Sequence, residues 1–317
     1  MRHAQTLRWL DDCVMRFVMA QPFRKILVAT DFGPSSDRAV ETAAALATRF
    51  AAELAVVHVV QEMAYAYPFP PPAGVRDEAR AALEGVVSSL RARMLQVNGA
   101  LREGVAWHEV VAAAADLEAD LVVIGSQGRQ GLQRFVMGSV AERVVRLSPV
   151  PVLTVHPYDE VALLAGGMDR FRNILAPTDL SNDSRRGLEL AASLAREGES
   201  ALTVVHVIEP FWEPLTRPYS LPPDIALDVQ GAAQRQLDAL VASVCQGVQN
   251  VEALTTVAKP WRSILSLAEE QRADLVVMST GGRRGVQRVL IGSVAEKIVR
   301  LATIPVISVG PERGAQD

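Results

Sequence analysis

The chain carries the same stretch twice. GSQGRQGLQRFVMGSVAERVVRL occupies 125–147 and STGGRRGVQRVLIGSVAEKIVRL occupies 279–301. Two more matches frame it. RKILVATDF from Arg24 matches RNILAPTDL from Arg172, and LAVVHVV from Leu54 matches LTVVHVI from Leu202, both at an offset of 148 residues. From Asp120 against Asp274 the offset is 154, so six extra residues enter the second copy, between about 209 and 255. Self-similarity on this scale restricts the chain to two copies of one fold. Its 317 residues suffice for two domains, at roughly 150 residues per domain.

Within each copy, short apolar runs alternate with helical segments. In the first, KILVAT, LAVVHVV, DLVVIG and VPVLTV read as strands, with a weaker one at Asn98 to Gly104. Helices are expected over Ser36 to Phe50, Val75 to Val97, Ala106 to Leu117 and Ser139 to Leu147. The second copy repeats the order. Continuous Val/Ile/Leu runs separated by helices imply an α/β fold with a parallel sheet covered on both faces. The expected layout is an N-terminal extension (1–21), domain one (22–157), a linker (158–170) containing Gly166 and Gly167, domain two (171–311) and a tail (312–317).

Composition narrows the function classes. Net charge is −4, which leaves no large basic field for nucleic acid. No apolar run is long enough for a membrane helix. The first residues are interrupted by Arg8, Asp11, Asp12 and Arg16, unlike the unbroken apolar core of a signal peptide. The two cysteines, Cys13 and Cys245, form neither a disulfide framework nor a metal motif. These features are compatible with a reducing cytoplasm, which is the expected location.

Chemistry concentrates where the fourth strand ends. Gly125 and Gly128 permit unusual backbone angles and close approach. Ser139-Val-Ala-Glu142, and Ser293-Val-Ala-Glu296 in the second copy, have the form of a capping box. A helix start preceded by glycine presents N–H groups and a positive dipole end, which suits an anion such as phosphate. A capped helix after a glycine turn also needs no ligand, and duplication preserves either feature. Two observations favour a ligand: the further glycines Gly131, Gly138, Gly285 and Gly292, and the carboxylates Asp31 and Asp179 closing the first strand of each copy. Ligands of open parallel sheets bind beyond the strand ends where strand order reverses. The loop is neither a Walker A nor a dinucleotide fingerprint, and no nucleophile, base and orienting acid are arranged together. His58 and His206 read as satisfied strand-end histidines, and Trp107 and Trp261 as packing residues.

The combined pattern resembles the universal stress protein family, whose ATP-binding members carry G-x2-G-x9-G-S/T. Gly125, Gly128, Gly138 and Ser139 fit it in full, and Gly282, Gly292 and Ser293 keep most of it. The resemblance implies two tandem Rossmann-like domains, each a five-stranded parallel sheet of order 3-2-1-4-5. It also implies that the fifth strands pair within this chain as a pseudo-dimer, with further homodimerisation open. It implies ATP, with Mg²⁺, as ligand. Asp31 and Val59 would hold the adenosine end, and Gly125, Gly128, Gly138, Ser139 and Val140 the ribose and phosphates. The matching set in domain two is Asp179, Val207, Ser279, Gly282, Gly292, Ser293 and Val294. Ser279 departs from the pattern, bringing a side chain where glycine is expected. If it needs glycine-like angles, strain of about 1–3 kcal/mol follows. The function implied is a stress-response sensor or regulator acting on an unidentified protein partner, without membrane or nucleic-acid binding. A nucleotide-free interaction module and a slow ATPase are the alternatives.

Overall fold

The computed structural model describes residues 22–61, 74–127, 137–156, 171–209, 223–281 and 291–311, with the backbone alone for 223–227. The expected extension, linker and tail lie outside these residues. Domain one contains β1 (Lys25–Thr30), α1 (Pro34–Phe50), β2 (Glu53–Gln61), α2 (Val75–Arg91), β3 (Val97–Gly104), α3 (Ala106–Asp116), β4 (Leu121–Gly125), α4 (Ser139–Leu147) and β5 (Val152–Val155). Domain two repeats it with β6 (Asn173–Pro177), α5 (Asn182–Gly198), β7 (Ala201–Ile208), α6 (Pro223–Val244), β8 (Asn250–Val257), α7 (Pro260–Glu270), β9 (Leu275–Ser279), α8 (Ser293–Leu301) and β10 (Val306–Val309).

The strands form one ten-stranded sheet, ordered β3-β2-β1-β4-β5-β10-β9-β6-β7-β8. Each half is the expected 3-2-1-4-5 parallel sheet. The halves join where β5 and β10 pair antiparallel, with Thr154 opposite Val306 and Val152 opposite Ser308. Pairing hides two apolar edges that would otherwise be open to other chains.

The apolar runs are continuous because both faces are covered. Along β1, Ile26 and Val28 enter the core beneath α1 and α2, while Leu27 and Ala29 enter the core beneath α3 and α4. Each of these two cores continues into domain two. Two aspartates pin the first strands at their starts. Asp120 Oδ2 accepts the Arg24 and Lys25 N–H groups at 2.7 and 2.8 Å, and Asp274 Oδ2 accepts the Arg172 N–H at 2.7 Å. Burial holds the Asp274 carboxyl above its ordinary range, and the N–H groups of Arg172 and Asn173 offset this only in part.

Helix limits differ from expectation at two places. α1 starts at Pro34 rather than Ser36, because proline at the first helical position has its φ preset and no N–H to leave unpaired. α2 stops at Arg91, well short of Val97. Met94 adopts φ 64° in the turn that follows, and Val97 pairs with Leu54 in the sheet. The apolar spacing runs on through that turn, so periodicity alone overshoots. The longer second copy is explained by α6, 22 residues against 17 in α2. The register partners Leu54–Val97 and Leu202–Val251 place the remaining extra residue in the turn before β8.

Candidate functional site

Strand order reverses between β1 and β4, which pair from Ile26–Leu121 to Val28–Val123. Asp31 follows β1 directly. Its Oδ1 accepts the Gly33 N–H at 3.0 Å and the Ser36 Oγ–H at 2.7 Å. This carboxylate therefore shapes the loop that carries it. Phe32, beside it, has φ 60° and lies over the His58 ring with centroids 4.4 Å apart. His58 Nδ1 meets the Thr30 carbonyl at 2.8 Å, as His206 Nδ1 meets that of Thr178. Thr30 is level with His58, so the next residues, Asp31 and half-buried Val59, stand side by side at the mouth of the crevice.

Gly125 ends β4. A Cβ there would lie 2.5 Å from Ser35 Oγ and 2.8 Å from the Ser35 carbonyl. The close approach that requires this glycine is made by the first turn of α1. Ser126, fully buried, then fixes the glycine loop at its base. Its carbonyl accepts the Gly138 N–H at 2.7 Å, its own N–H goes to Val155 O at 2.8 Å, and its hydroxyl meets His156 Nδ1 at 2.8 Å. Gly128 lies outside the described residues.

The expected capping box is not formed. Gly138, not Ser139, is the N-cap, and no side chain caps the helix. The Gly138–Ser126 bond sets the chain one residue earlier, and Glu142 N–H makes the first helical bond, to Gly138 O, at 3.0 Å. The N–H groups of Ser139, Val140 and Ala141 thus have no intrahelical partner, at the positive end of the dipole. Exposed Ser139 is the first helical residue, with its hydroxyl not engaged in capping.

Domain two rebuilds this plan with changes. Gly292 is the N-cap of α8, its N–H bonded to Thr280 O at 2.8 Å, ahead of Ser293 and Val294. Asp179 Oδ1 accepts the Ser181 N–H at 3.0 Å, and Ser181 in turn caps α5 through the Ser184 N–H at 3.2 Å. Leu180 replaces Phe32 and keeps φ 62°. Val207 stands beside Asp179 as Val59 does beside Asp31. Ser279 is 7% exposed, has no positive φ, and its Oγ accepts the Gly187 N–H at 3.0 Å. The feared strain is absent: its side chain packs onto α5. Gly282 lies outside the described residues.

Sequence reasoning missed the residue that distinguishes the two crevices. At the position of Ser35, domain two has Asp183. A Cβ on Gly281 would lie 3.3 Å from Asp183 Oδ2, so a carboxylate stands at the entrance to the second loop. In domain one, Ser35 Oγ instead accepts the Gln127 N–H at 3.3 Å. Comparing the copies for mismatched pairs would have found it. The tryptophans pack as expected. Arg143 lies 5.7 Å from the Trp107 ring centroid, and Arg262 and Lys297 lie 5.1 and 5.5 Å from that of Trp261. Trp107 and Trp261 thereby lock α3 to α4 and α7 to α8. Among the described residues, no group of three or more His, Cys, Asp or Glu is placed to hold a metal, and no helix is long and apolar enough to cross a membrane.

A model of the universal stress protein family matches residues 22–156 and again 170–310. A universal stress protein of Mycolicibacterium smegmatis is 25% identical over 307 residues, covering 90% of this chain and 97% of the relative. One from Mycobacterium tuberculosis is 29% identical over 315 residues, covering 91% and 98%. The crystal structure of a universal stress protein from Archaeoglobus fulgidus superposes with a TM-score of 0.66 over 92% of this chain and 99% of that one, at 21% identity.

Proposed function

We propose that this chain, which belongs to the universal stress protein family, binds ATP in the crevice beyond β1 and β4 and uses occupancy to regulate a protein partner in the cytoplasm. The observation that carries this reading is the start of α4. A glycine N-cap tied to Ser126 leaves three N–H groups of a helix end without intrahelical partners, at the switch point of a parallel sheet and with Asp31 across the crevice. Phosphates suit the N–H groups. Asp31 and the Val59 backbone suit the hydroxyl and amino donors of a nucleoside. Mg²⁺ would be carried chiefly by the triphosphate oxygens. ATP occupancy would change the surface around the start of α4, and a partner would read that surface.

Domain two offers the same helix end and carboxylate, so it too is assigned to ATP. Asp183 makes it the weaker site, because a carboxylate beside Gly281 repels a polyphosphate entering that loop. The test is a count of ATP released per chain on denaturation, before and after ATP loading, in the wild type and in Ser139→Glu and Ser293→Glu. Glutamate is favoured in a first helical turn but repels phosphate there. Loss of one nucleotide with each variant supports the reading. No ATP bound to the wild type at millimolar concentration overturns it.

A further inference from the structure

The two copies also differ at the outer edge of the sheet. Near the end of β3, Arg102 Nη2 lies 2.8 Å from Asp116 Oδ2, and its Nη1 lies 3.7 Å from Glu109 Oε2. Glu109 also covers the strand end, where a Cβ on Gly104 would be 3.3 Å from its Cγ. These ion pairs tie β3 to α3. The matching positions in domain two hold Thr256 for Arg102, Ser263 for Glu109 and Glu270 for Asp116. With the arginine and the bridging glutamate replaced by small hydroxyl residues, those pairs cannot form. A cleft of about 440 Å³ lies there instead, between the end of β8 and α7, lined by Thr256, Lys259, Arg262, Ser263, Ser266 and Glu270. The spacing of the last five puts them on one face of α7.

Charge has changed with shape. Lys259 and Arg262 stand where domain one has Val105 and His108. Both are exposed, and neither has an ion-pair partner among the described residues. Arg262 lies over the Trp261 ring, which leaves the N–H donors in its own plane available. Glu270, the only acid in the lining, sits at the far end of α7 and accepts the Ser266 Oγ–H at 2.8 Å. We infer that this cleft binds a phosphate group, as the free ion or carried by a small molecule. Arg262 matches two phosphate oxygens, Lys259 adds a point charge, and the Ser263 hydroxyl is a further donor. The volume exceeds that of a phosphate ion and falls within the range of small-molecule sites, leaving room for a body beside Thr256. The site is built on α7 and the outermost strand, not on α8 or the glycine loop, and does not rest on the ATP reading.

Residue-resolved NMR of the full chain tests this, with inorganic phosphate and ribose 5-phosphate titrated at constant ionic strength. Saturating shifts are expected at the amides of 256–267 with both probes. The amides of 102–113 are the internal control and should not saturate. Lys259→Val combined with Arg262→His installs the domain-one residues at two exposed positions, and should weaken binding by about tenfold or more. Higher affinity for ribose 5-phosphate would identify a small phosphomonoester as the ligand, and equal or lower affinity the free ion; both support the site. No saturation at 256–267 overturns it, as do equal shifts at 102–113 or unchanged binding in the double variant. Amides 139–141 and 293–295 report phosphate entering the two crevices, so failure here is distinguishable from failure of the ATP reading.

Discussion

The Gly187 N–H donates to Ser279 Oγ at 3.0 Å, across the contact between α5 and the end of β9. In domain one the same two positions hold Ala39 and Gly125. The two copies therefore place their small and larger residues on opposite sides of one interface. A Cβ on Gly187 would lie 2.7 Å from the Ser279 backbone nitrogen and 2.9 Å from its Oγ. Ser279 fits because Gly187 has no side chain, and its hydroxyl is spent on the helix rather than on the crevice.

Gly187→Ala should therefore destabilise the protein by about 1–3 kcal/mol through overpacking. Ser279→Gly should cost about 1 kcal/mol from the lost contact and added chain freedom. The double variant restores the domain-one pair, so its loss should be smaller than the sum of the two. Urea denaturation of the four proteins checks this, and strict additivity would refute the pairing. ATP count should be unchanged in Ser279→Gly.

Asp183→Ser should tighten ATP binding at the second site. The side chain is exposed, so the carboxylate acts through solvent, and the expected gain is several-fold, largest at low ionic strength. Isothermal titration of Asp183→Ser in the Ser139→Glu background, where only site two operates, reads the effect. An unchanged affinity at low salt would exclude Asp183 as the source of the difference between the sites.

Much of this architecture is legible in the sequence, because it rests on local and repeated features. Two-sided burial shows as unbroken apolar runs. The β5–β10 seam is legible only through the family resemblance; the apolar runs Val152–Val155 and Val306–Val309 do not by themselves choose that pairing. Ser35, Asp183, Ser126 and His156 were not legible, since their roles come from contacts between segments far apart in the chain. Ser126 sits inside the glycine motif at a position that any residue satisfies, yet it is the one that bonds Gly138 and His156. The misplaced N-cap has the same origin: Ser139-Val-Ala-Glu142 fits a capping box locally, and only the Gly138–Ser126 bond shifts the helix start.

His156 also sets a pH dependence. Its folded-state value is about 4 against an ordinary 6.5, because burial disfavours the charged ring. Below pH 6.5 the unfolded chain takes up a proton that the folded chain refuses until about pH 4. Stability from this group is complete above pH 6.5 and is lost as pH falls toward 4, by up to about 3 kcal/mol. His156→Leu should flatten that part of the profile. Urea midpoints at pH 7.5 and 4.5 for both proteins measure it, and equal falls would show that other groups dominate acid sensitivity.

At the seam itself, equivalent hydroxyls have unequal fates. Thr154 Oγ1 donates to Val306 O at 3.2 Å, while Ser308 Oγ is buried without a hydrogen-bond partner among the described residues. A buried hydroxyl left unpaired costs more than its absence, whereas removing a paired one loses a net hydrogen bond. Ser308→Ala should thus be neutral or stabilising by up to about 1 kcal/mol. Thr154→Val, which keeps the shape and deletes the donor, should destabilise by about 1 kcal/mol. The two substitutions lie on facing strands of the same junction, so general disturbance of β5 and β10 would shift both melting temperatures the same way. Opposite shifts would show that hydrogen-bond satisfaction, rather than packing, sets the strength of the joint between the two domains.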